Sequence, residues 1–117
     1  MIQLKRAYEP PSDQDEYRVL IDRIWPRGVK KEELAVDAWL KEIAPSSALR
    51  KWFNHDPKKW QEFCTRYRAE LKDRQDVIEV LKEQSENGVL TLVFGAKDTR
   101  YNNAVALKQY LDSLPDP

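Results

Sequence analysis

Two loops of this chain carry charged side chains directly after apolar segments. Asp22, Arg23 and Arg27 follow the segment "YRVLI". Lys97 and Asp98 follow "LTLVFGA". Guanidinium and ammonium groups hold phosphate or carboxylate anions, and a carboxylate orients such cations or moves a proton. These residue types predict a small-anion site where the two loops meet, with Asp22 and Asp98 as candidates for acid–base chemistry.

Two aromatic residues extend this prediction, and each has a purely structural alternative. Trp25 lies between the two arginines and offers a ring for stacking on a planar ligand, or it caps the core together with Pro26. His55 is the only histidine, and histidine suits proton transfer near neutral pH. A single histidine beside Trp52 is more often a packed or capping residue. Arg23 could pair with a nearby carboxylate, and Lys97 with Asp98 could form a solvated turn.

Composition excludes several classes of protein and site. Twenty basic residues balance twenty acidic ones over 117 residues, so the chain has no overall attraction for nucleic acid or for anionic membranes. One cysteine excludes an internal disulfide, and one cysteine with one histidine cannot supply a common four-ligand zinc site. No apolar run is long enough for a membrane helix. We therefore expect a cytoplasmic protein without metal or cofactor, and leave its oligomeric state open.

The apolar periodicity predicts the elements that position the two loops. Strands are predicted at 2–8, 17–22 and 89–96, and helices at 45–55, 56–73, 75–88 and 97–113. Ser46 and Asp56 are predicted N-caps, and Asp98 or Thr99 is predicted to cap the last helix. Residues 30–44 fit a helix and a strand almost equally. We expect a helical turn at 31–35 followed by irregular or extended chain.

This order of elements predicts a single α/β domain over residues 1–117, with a small, mostly parallel sheet flanked by helices. In open α/β sheets, ligands bind outside the carboxyl ends of the strands. If the two confident strands are near neighbours, loops 22–28 and 96–103 converge at one edge. The following helix then adds unpaired backbone amides to the anion site.

Two other classes of function remain open. The basic and aromatic residues at 50–60 are typical of a surface that stacks on single-stranded nucleic acid. The tryptophans, however, recur at core-facing helical positions and the net charge is zero, so we do not expect a nucleic-acid partner. The Trp-rich helices could instead dock a partner protein through an apolar patch. Whether the chain is an enzyme, for example one acting on a nucleotide-like molecule by hydrolysis or group transfer, is also open.

Four blocks of the sequence closely resemble the YeaO-like family of small bacterial proteins, a family with no established reaction. The blocks are "YRVLIDRIWPRG", "WLKEIAPSSALRKWFNHDPKKWQEFCTRYRAEL", "LTLVFGAKD" and "NNAVALKQYL". Together they extend the resemblance over residues 2–112. The resemblance therefore implies a family without implying a substrate.

The wider group to which this family is similar has a strand ending in "D-R--P-S" and a later segment "C-EKD--HCHR". The resemblance aligns the second pattern with residues 94–104. Phe94 stands at its first cysteine, and Asn102 and Asn103 stand at its later cysteine and histidine. A thiol- or histidine-based mechanism in this segment is therefore not implied. Lys97 and Asp98 are retained, and Asn102 becomes a further candidate for ligand binding.

Overall fold

The computed structural model describes residues 1–115, and its sheet consists of four parallel strands. The strands are β1 (Ile2–Arg6), β2 (Tyr17–Leu20), β3 (Ala38–Trp39) and β4 (Leu90–Phe94). Their order across the sheet is β1-β4-β2-β3, and each pairing is parallel. The predicted α/β class is confirmed. The two strands that precede the charged loops, β2 and β4, are neighbours at the centre of the sheet.

Five α-helices accompany the sheet within residues 1–115. They are α1 (Lys31–Leu34), α2 (Ser47–Phe53), α3 (Trp60–Leu71), α4 (Gln75–Asn87) and α5 (Asn103–Ser113). The Ser46 side chain accepts a hydrogen bond from the Leu49 N–H, which confirms Ser46 as the N-cap of α2. Asp56 caps the short 3₁₀ turn Pro57–Lys59 that leads into α3. None of the helices in residues 1–115 has the length and apolar character needed to cross a bilayer.

The predicted start of the last helix was wrong. Asn102, and neither Asp98 nor Thr99, caps α5, and its side chain accepts from the Val105 N–H. Asp98 instead accepts from the backbone N–H groups of Arg100 and Tyr101 at 2.8 and 3.1 Å. A short carboxylate side chain closes a local turn in this way as readily as it caps a helix. The helix therefore begins one turn later.

Side chains on β2 and β4 alternate between two apolar layers. Val19 and Leu92 face the layer formed with the long helices, whereas Leu20 and Val93 face the opposite side. On that second side there is no long helix among the described residues, and the cover is a small cluster from α1 and the chain on either side of it. The members of this cover are Trp25, Val29, Leu34, Val36 and Trp39. The continuously apolar sequences of β2 and β4 follow from burial on both faces.

A buried ionic network also lies on this second face. Asp15 and Arg18 are only 2% and 4% exposed, and their carboxylate and guanidinium meet at 2.6 Å. Lys5 lies 3.0 Å from the same carboxylate, and the Gln3 amide donates to it at 2.8 Å. The Arg18 guanidinium also donates to the Leu34 carbonyl at 2.7 Å. The network therefore joins β1, β2, the 3₁₀ turn Asp13–Asp15 and α1.

Burial alone would raise the pKa of Asp15, because a charged group is less stable away from water. Hydrogen bonds from Lys5, from the Ser12 N–H and from Arg18 outweigh this effect and lower the pKa. The carboxylate is therefore ionised in the folded chain at neutral pH.

We expect Asp15→Ala to lower the free energy of unfolding by about 3 kcal/mol, because the buried Arg18 guanidinium then lacks its counter-charge. Asp13 is exposed and two residues away, and Asp13→Ala should change stability by less than about 0.5 kcal/mol. Urea denaturation of both variants at neutral pH measures the difference. Similar losses in the two variants would contradict the assigned role of Asp15.

The same network predicts a pH dependence. The pKa of Asp15 is lower in the folded chain than in the unfolded chain, so its stabilising effect is complete above about pH 5 and declines as the pH falls below about 4. The stability gap between the wild type and Asp15→Ala should therefore narrow on acidification. A gap that stays constant from neutral pH to about pH 3 would rule out this linkage.

Candidate functional site

A cavity of about 590 Å³ opens at the carboxyl ends of β2 and β4. Its apolar lining consists of Ile24, Ala44, Pro45, Phe53, Phe63, Ala96 and Tyr101. Its polar and charged lining consists of Asp22, Arg23, Ser47, Arg50, Lys51, Asn54, His55, Asn102 and Asn103. The volume and the mixed lining suit a small organic molecule with a polar end.

The Asp22 carboxylate holds the inner end of the cavity together. One of its oxygens accepts from the Gly95 N–H at 2.8 Å, and the other accepts from the Asn103 side-chain amide at 3.0 Å. These two donors come from the residue after β4 and from the first residue of α5. A Cβ at Gly95 would lie 3.2 Å from the carboxylate oxygen, so glycine permits this close approach. Asp22 therefore fixes the spacing between the ends of two strands and the start of a helix.

The outer wall of the cavity is α2, which side chains of α3 hold in place. The buried Tyr67 hydroxyl donates to the Ile43 carbonyl at 2.5 Å. Glu70 accepts from both the N–H and the hydroxyl of Ser46, at 2.8 and 2.6 Å. Burial, with smaller effects from the charges of Glu70 and Asp22, raises the pKa of Tyr67, so its hydroxyl stays a hydrogen-bond donor. These contacts orient α2 so that Arg50 and Lys51 line the cavity beside the ends of β2 and β4.

The cavity lining carries an excess of positive charge. Among the described residues that line it, Arg23, Arg50 and Lys51 are cationic, whereas Asp22 is the only carboxylate. All three cations are exposed, and the Arg23 guanidinium makes one long hydrogen bond, at 3.4 Å, to the Pro45 carbonyl. Their heads are therefore accessible to an anion in solution.

The rim of the cavity includes two residues with left-handed backbone. Asn54 has φ 47° and ψ 42°, and His55 follows with φ 54°. Non-glycine residues adopt this region infrequently. The pair reverses the chain between α2 and the next turn, and it places the exposed His55 at the cavity mouth.

The structure brings four of the sequence candidates to this cavity and places four elsewhere. Asp22, Arg23, His55 and Asn102 line it; Trp25, Arg27, Lys97 and Asp98 do not. The Trp25 ring packs edge-on against Trp39 and its indole N–H donates to the Val29 carbonyl at 2.6 Å.

The other three residues that do not line the cavity are near the surface. Arg27 and Lys97 are exposed, and the Arg27 carbonyl accepts from the Tyr8 hydroxyl. Hydrogen bonds from the N–H groups of Arg100 and Tyr101, with a smaller electrostatic effect of His55, hold the pKa of Asp98 below its usual value. Asp98 is therefore an ionised turn-forming residue at neutral pH.

A family model described as the inactive DUF488-N3 subclade matches residues 1–115. The chain belongs to this subclade. The uncharacterized protein YeaO of Escherichia coli K12 is 43% identical over 113 residues, which cover 97% of this chain and 98% of that protein. The uncharacterized protein Rv3073c of Mycobacterium tuberculosis H37Rv is 37% identical over 111 residues, which cover 95% and 93%. No solved structure gives a significant match to the chain. The predicted YeaO-like relationship is confirmed.

In this member of the inactive DUF488-N3 subclade, the residues that replace the cysteines and histidine of the wider pattern have other contacts. Phe94 is a buried core residue of β4. Asn103 donates to Asp22, and Asn102 is 3% exposed with both of its side-chain amide atoms hydrogen-bonded. The Asn102 amide nitrogen donates to the Asp98 carbonyl at 2.8 Å, and its oxygen accepts from the Val105 N–H at 3.0 Å. Asn102 thus lines the cavity mainly as the residue that orients α5.

The sequence candidates did not include Arg50 and Lys51 for an anion site, although both line the cavity. Sequence reasoning placed them in a basic and aromatic cluster that suggested nucleic acid. The feature of the sequence that could have pointed to them is their place in the long "APSSALRKWFNHDP" block. There, polar residues recur outside the apolar stripe of the helix.

We expect Asn102→Ala to lower the free energy of unfolding by about 1 to 2 kcal/mol, because it removes the helix cap and leaves buried backbone groups unpaired. Asn102→Asp keeps the cap acceptor but loses the donor to the Asp98 carbonyl, so its stability should lie between those of Asn102→Ala and the wild type. Urea denaturation ranks the three proteins. A variant Asn102→Ala as stable as the wild type would show that this cap does not organise the start of α5.

Proposed function

We propose that this chain binds a small organic anion, phosphate- or nucleotide-like, in the cavity at the ends of β2 and β4. The observation that carries the proposal is the lining itself. Three accessible cations and one anchored carboxylate line the same cavity, next to a wall that includes aromatic rings. Cations in a concave site attract anions more strongly than the same charges on a flat surface, because the protein walls reduce screening by water.

The charged and the aromatic lining residues suit two different parts of one ligand. Arg50 and Lys51 project from α2, and Arg23 follows β2, so a phosphate or carboxylate binds between these heads. The rings of Phe63 and Tyr101 form part of the adjoining wall, and the less polar part of the ligand packs there. A cavity of about 590 Å³ has room for both parts.

We further propose that the chain binds this ligand without transforming it. The family description is that of an inactive subclade. Phe94, Asn102 and Asn103 offer neither a thiol nor an imidazole where the wider pattern has them. Asp22 and His55 line the cavity, and the two hydrogen bonds that Asp22 accepts give it a positioning role at the ends of β2 and β4. A binding role needs only the cations and the shape of the cavity.

The contacts of the tryptophans favour this proposal over binding of single-stranded nucleic acid. The Trp52 ring has the Arg66 guanidinium 4.1 Å and the Lys59 ammonium 5.1 Å from its centroid. Trp60 stacks on Phe63 and meets Tyr101 edge-on. Bases stack on aromatic faces that are free, and these faces already have partners. The same contacts reduce the apolar surface that a partner protein could cover.

We expect the double variant Arg50→Ala/Lys51→Ala to weaken binding of adenosine 5′-monophosphate by about tenfold. Removing charge-assisted hydrogen bonds to a phosphate costs about 1.5 kcal/mol, and about 1.4 kcal/mol corresponds to a factor of ten in affinity. Titration followed by two-dimensional ¹H–¹⁵N NMR measures the dissociation constant and shows which backbone amides respond. We expect the responding amides to cluster around the cavity.

The matched control is Arg27→Ala/Lys97→Ala, which removes the same charge from exposed positions outside the cavity lining. It should bind the nucleotide within about twofold of the wild type, because screened surface charges act weakly at a distance. Equal weakening in the two double variants would mean that overall charge, and not the cavity, attracts the anion. Absence of binding by the wild-type chain would refute the proposal.

A further inference from the structure

The Asp22 carboxylate has unused capacity as a hydrogen-bond acceptor inside the cavity. Two carboxylate oxygens offer about four acceptor positions. The Gly95 N–H and the Asn103 amide occupy one on each oxygen, at 2.8 and 3.0 Å. Asp22 is half-buried and lines the cavity, so a bound ligand can reach the remaining positions.

The cations of the cavity leave this carboxylate unpaired. Within residues 1–115, Asp22 forms no ion pair with Arg23, Arg50 or Lys51. Arg23 is adjacent in sequence, yet its guanidinium turns to the Pro45 carbonyl. Asp22 is instead oriented by two neutral donors, which keep its position fixed without neutralising its charge. The cavity therefore presents exposed cations and, beyond ion-pair distance from them, a half-buried anionic acceptor.

This separation selects the chemistry of the ligand. A phosphate group close to Asp22 would be repelled by the carboxylate, so it must lie outward, among the cations. The part of the ligand that reaches Asp22 must donate hydrogen bonds. A neutral hydroxyl meets this need, whereas an ammonium group would also face the positive charges of Arg23, Arg50 and Lys51.

We propose that the ligand is a phosphorylated sugar or polyol, alone or as part of a nucleotide, and that Asp22 accepts hydrogen bonds from its hydroxyl groups. This inference rests on the anion binding proposed above. The phosphate binds among the cations Arg23, Arg50 and Lys51, and the carbon face of the sugar packs against the half-buried Tyr101 ring. Asp22 thus determines specificity by accepting from a donor that simple phosphate esters lack.

The test compares ribose 5-phosphate with butyl phosphate, which carries a phosphate but no hydroxyl group. Both are titrated into the wild type and into Asp22→Asn by NMR. In Asp22→Asn, ribose 5-phosphate should bind about tenfold more weakly, because a hydrogen bond to a charged acceptor becomes a weaker neutral one. Butyl phosphate should bind equally or more tightly, because a repulsive charge is removed. The ratio of the two dissociation constants therefore isolates the contact to Asp22 from general effects of the substitution.

The Gly95 amide gives a second readout that needs no variant, should Asp22→Asn fail to fold. Its N–H donates to Asp22, so its chemical shift should move when ribose 5-phosphate fills the cavity and move much less with butyl phosphate. An unchanged ratio in Asp22→Asn, or a Gly95 shift that is equal for the two ligands at saturation, would overturn the inference while leaving anion binding intact. If neither phosphate binds the wild type, both proposals fail.

Discussion

The cavity depends on one carboxylate at the junction of three elements. Because β2 and β4 are adjacent and parallel, Asp22 and Gly95 lie next to each other beyond the sheet. The Asp22 side chain uses this proximity to accept from the Gly95 N–H and from Asn103 at the start of α5. Glycine at 95 leaves room for the approach, since a Cβ there would lie 3.2 Å from the carboxylate. The inner end of the cavity is thereby fixed by hydrogen bonds that use no cation.

The two carboxylates that organise the sheet differ in their partners, which are cations for one and neutral donors for the other. On one face, Asp15 is buried and neutralised directly by Lys5 and Arg18. Such a group is structural, because its charge is satisfied within the fold. At the strand ends, Asp22 has neutral donors, and the nearby Arg23 is accessible. Leaving both charges unpaired in a concave site favours a ligand that supplies the missing partners. This contrast within one chain supports the proposal that the cavity binds a ligand.

Much of the fold could be predicted because its apolar patterns are local. The strands β2 and β4 and the helices α3 and α4 each have a run or stripe that is nearly independent of its neighbours. Residues 31–39 also follow the expected helical turn and extended chain. The start of α5 was misplaced because Asp98 and Asn102 are both good caps in isolation. Local sequence does not decide between them, since the outcome depends on the tertiary contacts at the strand ends.

Strand-end reasoning predicts where a cavity opens better than it predicts which cations line it. Adjacency of β2 and β4 brings Asp22 and Asn102 to one cavity, but of the cations expected to converge there, only Arg23 lines it, and Arg27 and Lys97 do not. The cations were harder to place, because a strand end shows where a loop begins and not which face it covers. Arg50 and Lys51 reach the cavity because α3 holds the segment before α2 through contacts between residues 24 positions apart. No local periodicity encodes such contacts, so the charge of the cavity is a property of the packed helices and not of the loops beside the strands.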